Sequence, residues 1–192
     1  MTEIGLIRHG ITEWNSLGKA QGISDIPLND QGEKQAIELG NRLLSEQSWD
    51  LIISSDLTRA KETANIISSR VDLPIKNFDE RIRELDCGKI EGTTEVERVQ
   101  IWGSNWRDCD LGMERFESVA NRGIEFLEEV RREYSGRRIL VVSHGALIGI
   151  TLQHLIPEQF TTTYIDNTSL TILQNNDDRW HCRLYNCTTH LG

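Results

Sequence analysis

Two short runs of the chain end in the same way, and together they restrict the fold more than any other feature. Ile4-Gly5-Leu6-Ile7-Arg8-His9-Gly10 is a mostly apolar run that closes on a cation, an imidazole and a glycine. Arg138-Ile139-Leu140-Val141-Val142-Ser143-His144-Gly145 repeats the ending after a β-branched run, and an apolar helix-like stretch follows it. Apolar runs of this kind, bounded by turn residues, read as buried strands, and such strands belong to sheets covered by helices on both faces. Gly5 weakens the pattern of the first. Function in open α/β sheets gathers just beyond the carboxyl ends of the strands, which is where His9 and His144 fall. Two parallel strands delivering them there put both imidazoles on one rim, able to bind a metal, pass protons or clamp an anion.

Between and beyond these runs the chain alternates. Residues 11–28 lack helical periodicity and read as a long functional loop. Asn29 or Asp30 caps a helix expected over 31–47, whose Ala36, Ile37, Leu39, Leu43 and Leu44 form an apolar stripe. A strand over 50–55 leads to a helix capped by Ser55 or Asp56, with Leu57, Ala60, Ala64 and Ile67 on its buried face. Arg59 falls in the first turn of that helix, where a phosphate would also meet free N–H groups and the positive end of the helix dipole. A short strand is expected over 74–78, a short helix over 95–102, a long helix over 114–134, a strand over 139–143 and a helix over 146–155. Two closing strands, 169–173 and 180–185, flank Asn175-Asn176-Asp177-Asp178, which reads as a hairpin turn. This order predicts a single domain over 1–192, a three-layer α/β/α sandwich with a mostly parallel central sheet.

Composition narrows the function. A formal charge of −9 argues against a general nucleic-acid binder, which needs a basic stripe. No run approaches the roughly 18 apolar residues of a membrane span, and no signal-peptide pattern is present, so a soluble cytoplasmic protein is expected. Cys87, Cys109, Cys182 and Cys187 form no regular framework and read as reduced thiols. His181, Cys182, Cys187 and His190 match no common zinc spacing, so no metal and no cofactor is expected. Trp102, Trp106 and Phe116 suit either a pocket lining or the core, with core preferred.

Leu6-Ile7-Arg8-His9-Gly10-Ile11-Thr12-Glu13-Trp14-Asn15 resembles the signature of the histidine phosphatase (phosphoglycerate mutase-like) superfamily. The likeness continues through Asp25-Ile26-Pro27-Leu28, Ser54-Ser55-Asp56-Leu57-Thr58-Arg59-Ala60, Thr63-Ala64, Arg83-Glu84-Leu85, Glu91-Gly92 and Ser143-His144-Gly145, in the family's order. The resemblance implies that His9 is a nucleophile that becomes phosphohistidine, with Arg8, Arg59 and His144 around the phosphate oxygens and Asn15 also touching them. It implies that Glu84 donates the proton to the leaving oxygen, a role that needs its carboxyl protonated in the first step. The residue types suit a phosphomonoester dianion, which calls for fixed cations and N–H donors. Neutral imidazole can attack near pH 7 without a separate base if a carbonyl holds its other nitrogen. Read without the family, Glu84 lies in a charged stretch that suits a solvated face, and His144 suits a structural histidine.

Glu84-Leu85-Asp86-Cys87-Gly88-Lys89-Ile90-Glu91-Gly92 resembles the phosphatase branch, and Gly112-Met113-Glu114-Arg115-Phe116 departs from the Gly-Glu-Ser pattern common in mutases. The expectation is a metal-independent phosphomonoester hydrolase acting on a small-molecule substrate. A cofactor-dependent phosphoglycerate mutase and a non-catalytic phosphate-ligand binder are the alternatives. No sequence feature specifies the particular ester or an oligomeric state.

Overall fold

Alternating strands and helices build one sheet with its helices on both faces. The computed structural model describes residues 1–46, 48–176 and 179–192. In chain order its elements are β1 (Thr2–Arg8), α1 (Glu13–Ser16), α2 (Asp30–Leu44), β2 (Leu51–Ser54), α3 (Thr58–Val71), β3 (Ile75–Phe78), α4 (Glu95–Trp102), α5 (Phe116–Glu133), β4 (Arg138–Ser143), α6 (Gly145–Leu155), β5 (Leu170–Asn176) and β6 (Arg179–Cys187). The strands lie in the order β3-β2-β4-β1-β5-β6. The first four are mutually parallel, while β5 runs antiparallel to β1 and β6 antiparallel to β5.

Because side chains alternate along a strand, each buried strand feeds two cores. Ile4, Leu6, Ile139 and Val141 pack with Val119, Phe126 and Leu127 of α5 and Ile148 of α6. Ile7, Leu140 and Val142 pack on the other face with Leu39 and Leu43 of α2 and Ala60 and Ile67 of α3. Full burial of each Leu or Ile contributes about 1.5–3 kcal/mol. This is the three-layer α/β/α sandwich with a mostly parallel sheet. Gly5, the weak point of the pattern, lies beneath Trp49, where an added Cβ would come within 2.8 Å of the indole ring. Close packing selects glycine there.

Several local expectations shift. Asn29 caps α2 by accepting the Gly32 N–H at 2.9 Å, but the helix ends at Leu44, and Gln47 lies outside the described residues. Neither Ser55 nor Asp56 caps α3; Leu57 occupies the N-cap position without a side-chain bond. The capping acceptor comes from a distant loop instead. Asp25 takes the Thr58 N–H at 2.6 Å and the Thr58 hydroxyl at 2.8 Å. That end of α3 therefore already holds an anion, in place of the phosphate the sequence suggested. The loop over 11–28 contains α1, one helical turn closed by a Thr12–Asn15 capping box. β5 extends through Asn175 and Asn176, two residues of the expected turn, and Asp177 and Asp178 lie outside the described residues.

Candidate active site

The parallel pairing of β1 and β4 sets Arg8 opposite Ser143, so the next residue of each strand is a histidine. The His9 N–H donates to the Ser143 carbonyl at 3.0 Å. The two imidazoles stand with ring centroids 5.2 Å apart, both buried. His9 Nδ1 lies 2.7 Å from the Gly10 carbonyl, and Arg59 Nε donates to His9 Nε2 at 3.2 Å. A carbonyl only accepts and a guanidinium only donates, so the proton sits on Nδ1 and the lone pair on Nε2. Burial first, then Arg59 and Arg8, push the His9 imidazole well below its ordinary 6.5. His144 is pushed the same way by burial and by Arg59. His144 Nε2 shares a 2.8 Å hydrogen bond with Ser55 Oγ, whereas its Nδ1 is buried without a partner among the described residues.

Arg59, fully buried, turns back from α3 and gives its remaining bonds to backbone. Nη1 donates to the Ser24 carbonyl at 2.8 Å and Nη2 to the Gly22 carbonyl at 2.7 Å. Glu91 in turn fixes that loop, accepting the N–H groups of Ile23 at 2.9 Å and Ser24 at 3.0 Å and the Ser24 hydroxyl. Gly22 has φ +53°, and a Cβ there would lie 1.9 Å from Glu91 Oε1. Arg8 donates through Nη1 to the Ile165 carbonyl at 2.7 Å, and its Nε is buried without a partner among the described residues.

A strap ahead of β5 closes the rim from the side. Thr168 N–H donates to the Arg8 carbonyl at 2.9 Å, and Asn167 Nδ2 donates to the His9 carbonyl at 2.9 Å. Asn15 Oδ1 accepts the Thr12 N–H at 3.2 Å and Asn167 Nδ2 at 3.3 Å, which leaves the Asn15 amide Nδ2 available to a ligand. The Glu84 carboxylate accepts the N–H groups of Leu85, Ala146 and Leu147 at 2.9, 3.2 and 3.0 Å, the last two from the first turn of α6. Glu84 and Arg8 line one cleft of about 390 Å³ with Ala146, Ile150, Phe116 and Tyr164.

The structure thus gathers all six sequence-selected residues. His9, Arg59 and the adjacent His144 form the buried centre, Arg8 and Glu84 share the cleft, and Asn15 connects through Asn167 to His9. Trp106 is core, packed with Ile90 and Leu111, and Trp102 lies partly buried against the same cluster. Phe116 is exposed and lines the cleft, contrary to the core preference. Asp25, Ser55, Glu91, Asn167 and Thr168 were not selected, although Asp25, Ser55 and Glu91 lie inside the quoted motifs. Among the described residues, no group of three or more His, Cys, Asp or Glu side chains is placed to hold a metal.

A family model for the histidine phosphatase superfamily, branch 1, matches residues 4–188. The chain belongs to this superfamily. Similar members include the uncharacterized phosphatase PhoE of Bacillus subtilis, 36% identical over 100% of this chain and 98% of that one. The probable phosphoglycerate mutase GpmB of Salmonella paratyphi A is 37% identical over 81% of this chain and 75% of its own. Among solved structures, a mutant phosphoserine phosphatase of Entamoeba histolytica in complex with phosphoserine superposes with a TM-score of 0.84. It is 30% identical and covers 100% of both chains.

Proposed function

We propose that this protein is a metal-independent phosphomonoester hydrolase that works through a phosphohistidine on His9. The observation that carries the reading is the state of His9: neutral, proton fixed on Nδ1 by the Gly10 carbonyl, and lone pair on Nε2 facing the Arg59 guanidinium. A phosphoryl group entering there takes over the Arg59 Nε–H, freeing Nε2 to attack. Arg8 Nε and His144 Nδ1, buried without intramolecular partners, supply further contacts to the phosphate oxygens, and Asn15 Nδ2 another. Charge on those oxygens is what a loose phosphoryl-transfer transition state must stabilise. As Nε2–P forms and P–O breaks, the Glu84 carboxyl gives its proton to the departing alcohol. Water then attacks phosphorus, its proton passes to the Glu84 carboxylate, and N–P cleavage returns neutral His9 and inorganic phosphate.

The substrate is a small phosphate ester. The phosphatase relative and the phosphoserine complex of a similar fold support that class, and the cleft beside Glu84 accommodates the alcohol. The four cysteines stand as free thiols, which suits a reducing cytoplasm. The test is a brief reaction with phosphate-labelled substrate in excess EDTA, quenched without acid. Acid-labile, base-stable label is expected on His9 and absent from His9→Ala. Label on serine or cysteine, or none without added divalent ion, would refute the reading. Label passed to a phosphoglycerate acceptor in preference to water would make the chain a mutase.

A further inference from the structure

Arg122, on the middle of α5, makes more contacts than an ordinary helix-surface arginine. Nη1 donates to the carbonyls of Arg81 at 2.7 Å and Arg83 at 2.6 Å, and Nη2 to that of Glu84 at 3.0 Å. Its Nε and Nη2 also pair with the two oxygens of Glu114, each at 2.9 Å. Glu114 Oε2 accepts the Asp86 N–H at 3.3 Å, so the pair grips the chain on both sides of Glu84. That stretch needs a grip. Beyond a single 3-10 turn at Glu80–Ile82 it has, among the described residues, no ladder to take its carbonyls, and of these the Ile82 carbonyl alone finds the sheet, through Ser143 Oγ at 2.9 Å. Meanwhile the Glu84 carboxylate rests on N–H groups of α6.

We infer that Arg122 is a positioning residue for proton donation: by holding the backbone of residues 81–84 it sets where the Glu84 carboxyl stands relative to the leaving oxygen. The inference rests on Glu84 being the acid. Arg122 is absent from the cleft lining. The fork of a guanidinium is what spans three carbonyls and a carboxylate at once; a lysine ammonium, a point charge with three donors, cannot. A purely structural staple between α5 and the sheet would, when loosened, depress every substrate alike. A positioning residue instead fails selectively, where the acid is needed.

The experiment compares kcat/KM for an alkyl phosphate and 4-nitrophenyl phosphate in the wild type, Arg122→Lys, Glu84→Gln and the double variant, with circular dichroism as the folding check. Displacing a catalytic group by about 1 Å costs roughly 100-fold, so Arg122→Lys should lose on the order of 10- to 100-fold with the alkyl ester. With the nitrophenyl ester, whose leaving group needs no proton, the loss should be below about threefold. In the Glu84→Gln background the same change should cost nothing further. Equal losses on both esters, no loss on the alkyl ester, or an undiminished loss in the Glu84→Gln background would each overturn the inference. If Glu84→Gln itself treats both esters alike, the acid assignment falls, and the inference falls with it. If Arg122→Lys does not fold, Glu114→Gln carries the same comparison, with the same selective loss expected and the same overturning result.

Discussion

At pH 5.5 the unliganded protein should be less stable than at pH 8 by about 3–4 kcal/mol, because three imidazoles are folded away uncharged, two of them in the site. Burial and the neighbouring Arg59 push both His9 and His144 well below their ordinary 6.5. In the unfolded chain each takes up a proton near that value. The folded state takes up neither, so below it the unfolded state binds more protons and stability falls with pH. The full contribution is present above 6.5 and is lost on acidification toward the depressed folded values. For each group the loss at pH 5.5 is RT ln(1 + 10), about 1.4 kcal/mol, or about 2.8 kcal/mol for the pair. In a domain of this size that lowers Tm by roughly 6–11 °C. His190, pushed down to about 4 by burial, adds up to about 1 kcal/mol in the same direction, its half-exposed ring being partly screened by solvent. The carboxylates do not confuse the window, since Asp56, held below its ordinary 3.8 by Arg83, keeps its contribution until more acid pH. Thermal unfolding at the two pH values gives the difference, and His144→Gln should remove about 1.4 kcal/mol of it. Equal stability at pH 8 and 5.5, or protonated His9 seen by NMR in the folded protein at pH 5.5, would refute the argument.

Two further substitutions test the supports of the site. Gly22→Ala forces a side chain into a left-handed backbone, about 1–2 kcal/mol, and displaces Glu91 from its N–H donors, about 1.5–3 kcal/mol more. With the carbonyls that orient Arg59 released, inhibition by inorganic phosphate should weaken along with kcat/KM; a variant that only melts earlier contradicts this. Asp25→Ala should cost about 0.5–2 kcal/mol as the loss of a helix cap, read as a lower Tm, and an unchanged Tm would contradict the capping role.

The sheet and the histidine rim were legible because buried parallel strands carry their own signature, and because a polar ending on such a strand marks its rim. Arg59 also gave a hint, as a cation at a helix start where the dipole disfavours it. The reason lies in Gly22 and Ser24, whose carbonyls receive its guanidinium. Backbone acceptors have no letter of their own in a sequence, so that cradle was not readable. Nor was the cap on α3, since Asp25 lies 33 residues from the N–H it takes and outside any local capping pattern. The turn α1 was hidden because its capping box uses Asn15 where Glu or Gln is the usual signal. Asn167 reaches the His9 carbonyl across 158 residues, a separation at which no periodicity operates.

The place of β1 in the sheet governs how the protein can be made. Its hydrogen-bonding neighbours are β4 and β5, formed by Arg138–Ser143 and Leu170–Asn176. On a ribosome adding about 5–20 residues per second, the first strand waits on the order of ten seconds before either neighbour exists. For that interval it is an apolar segment with two unpaired edges, open to other nascent chains or to a chaperone. The strap that grips the Arg8 and His9 carbonyls comes from residues 167 and 168, so a nascent chain that has not yet reached them cannot hold the assembled site. Competence is acquired only when β4, β5 and the strap fold back onto β1 and His9.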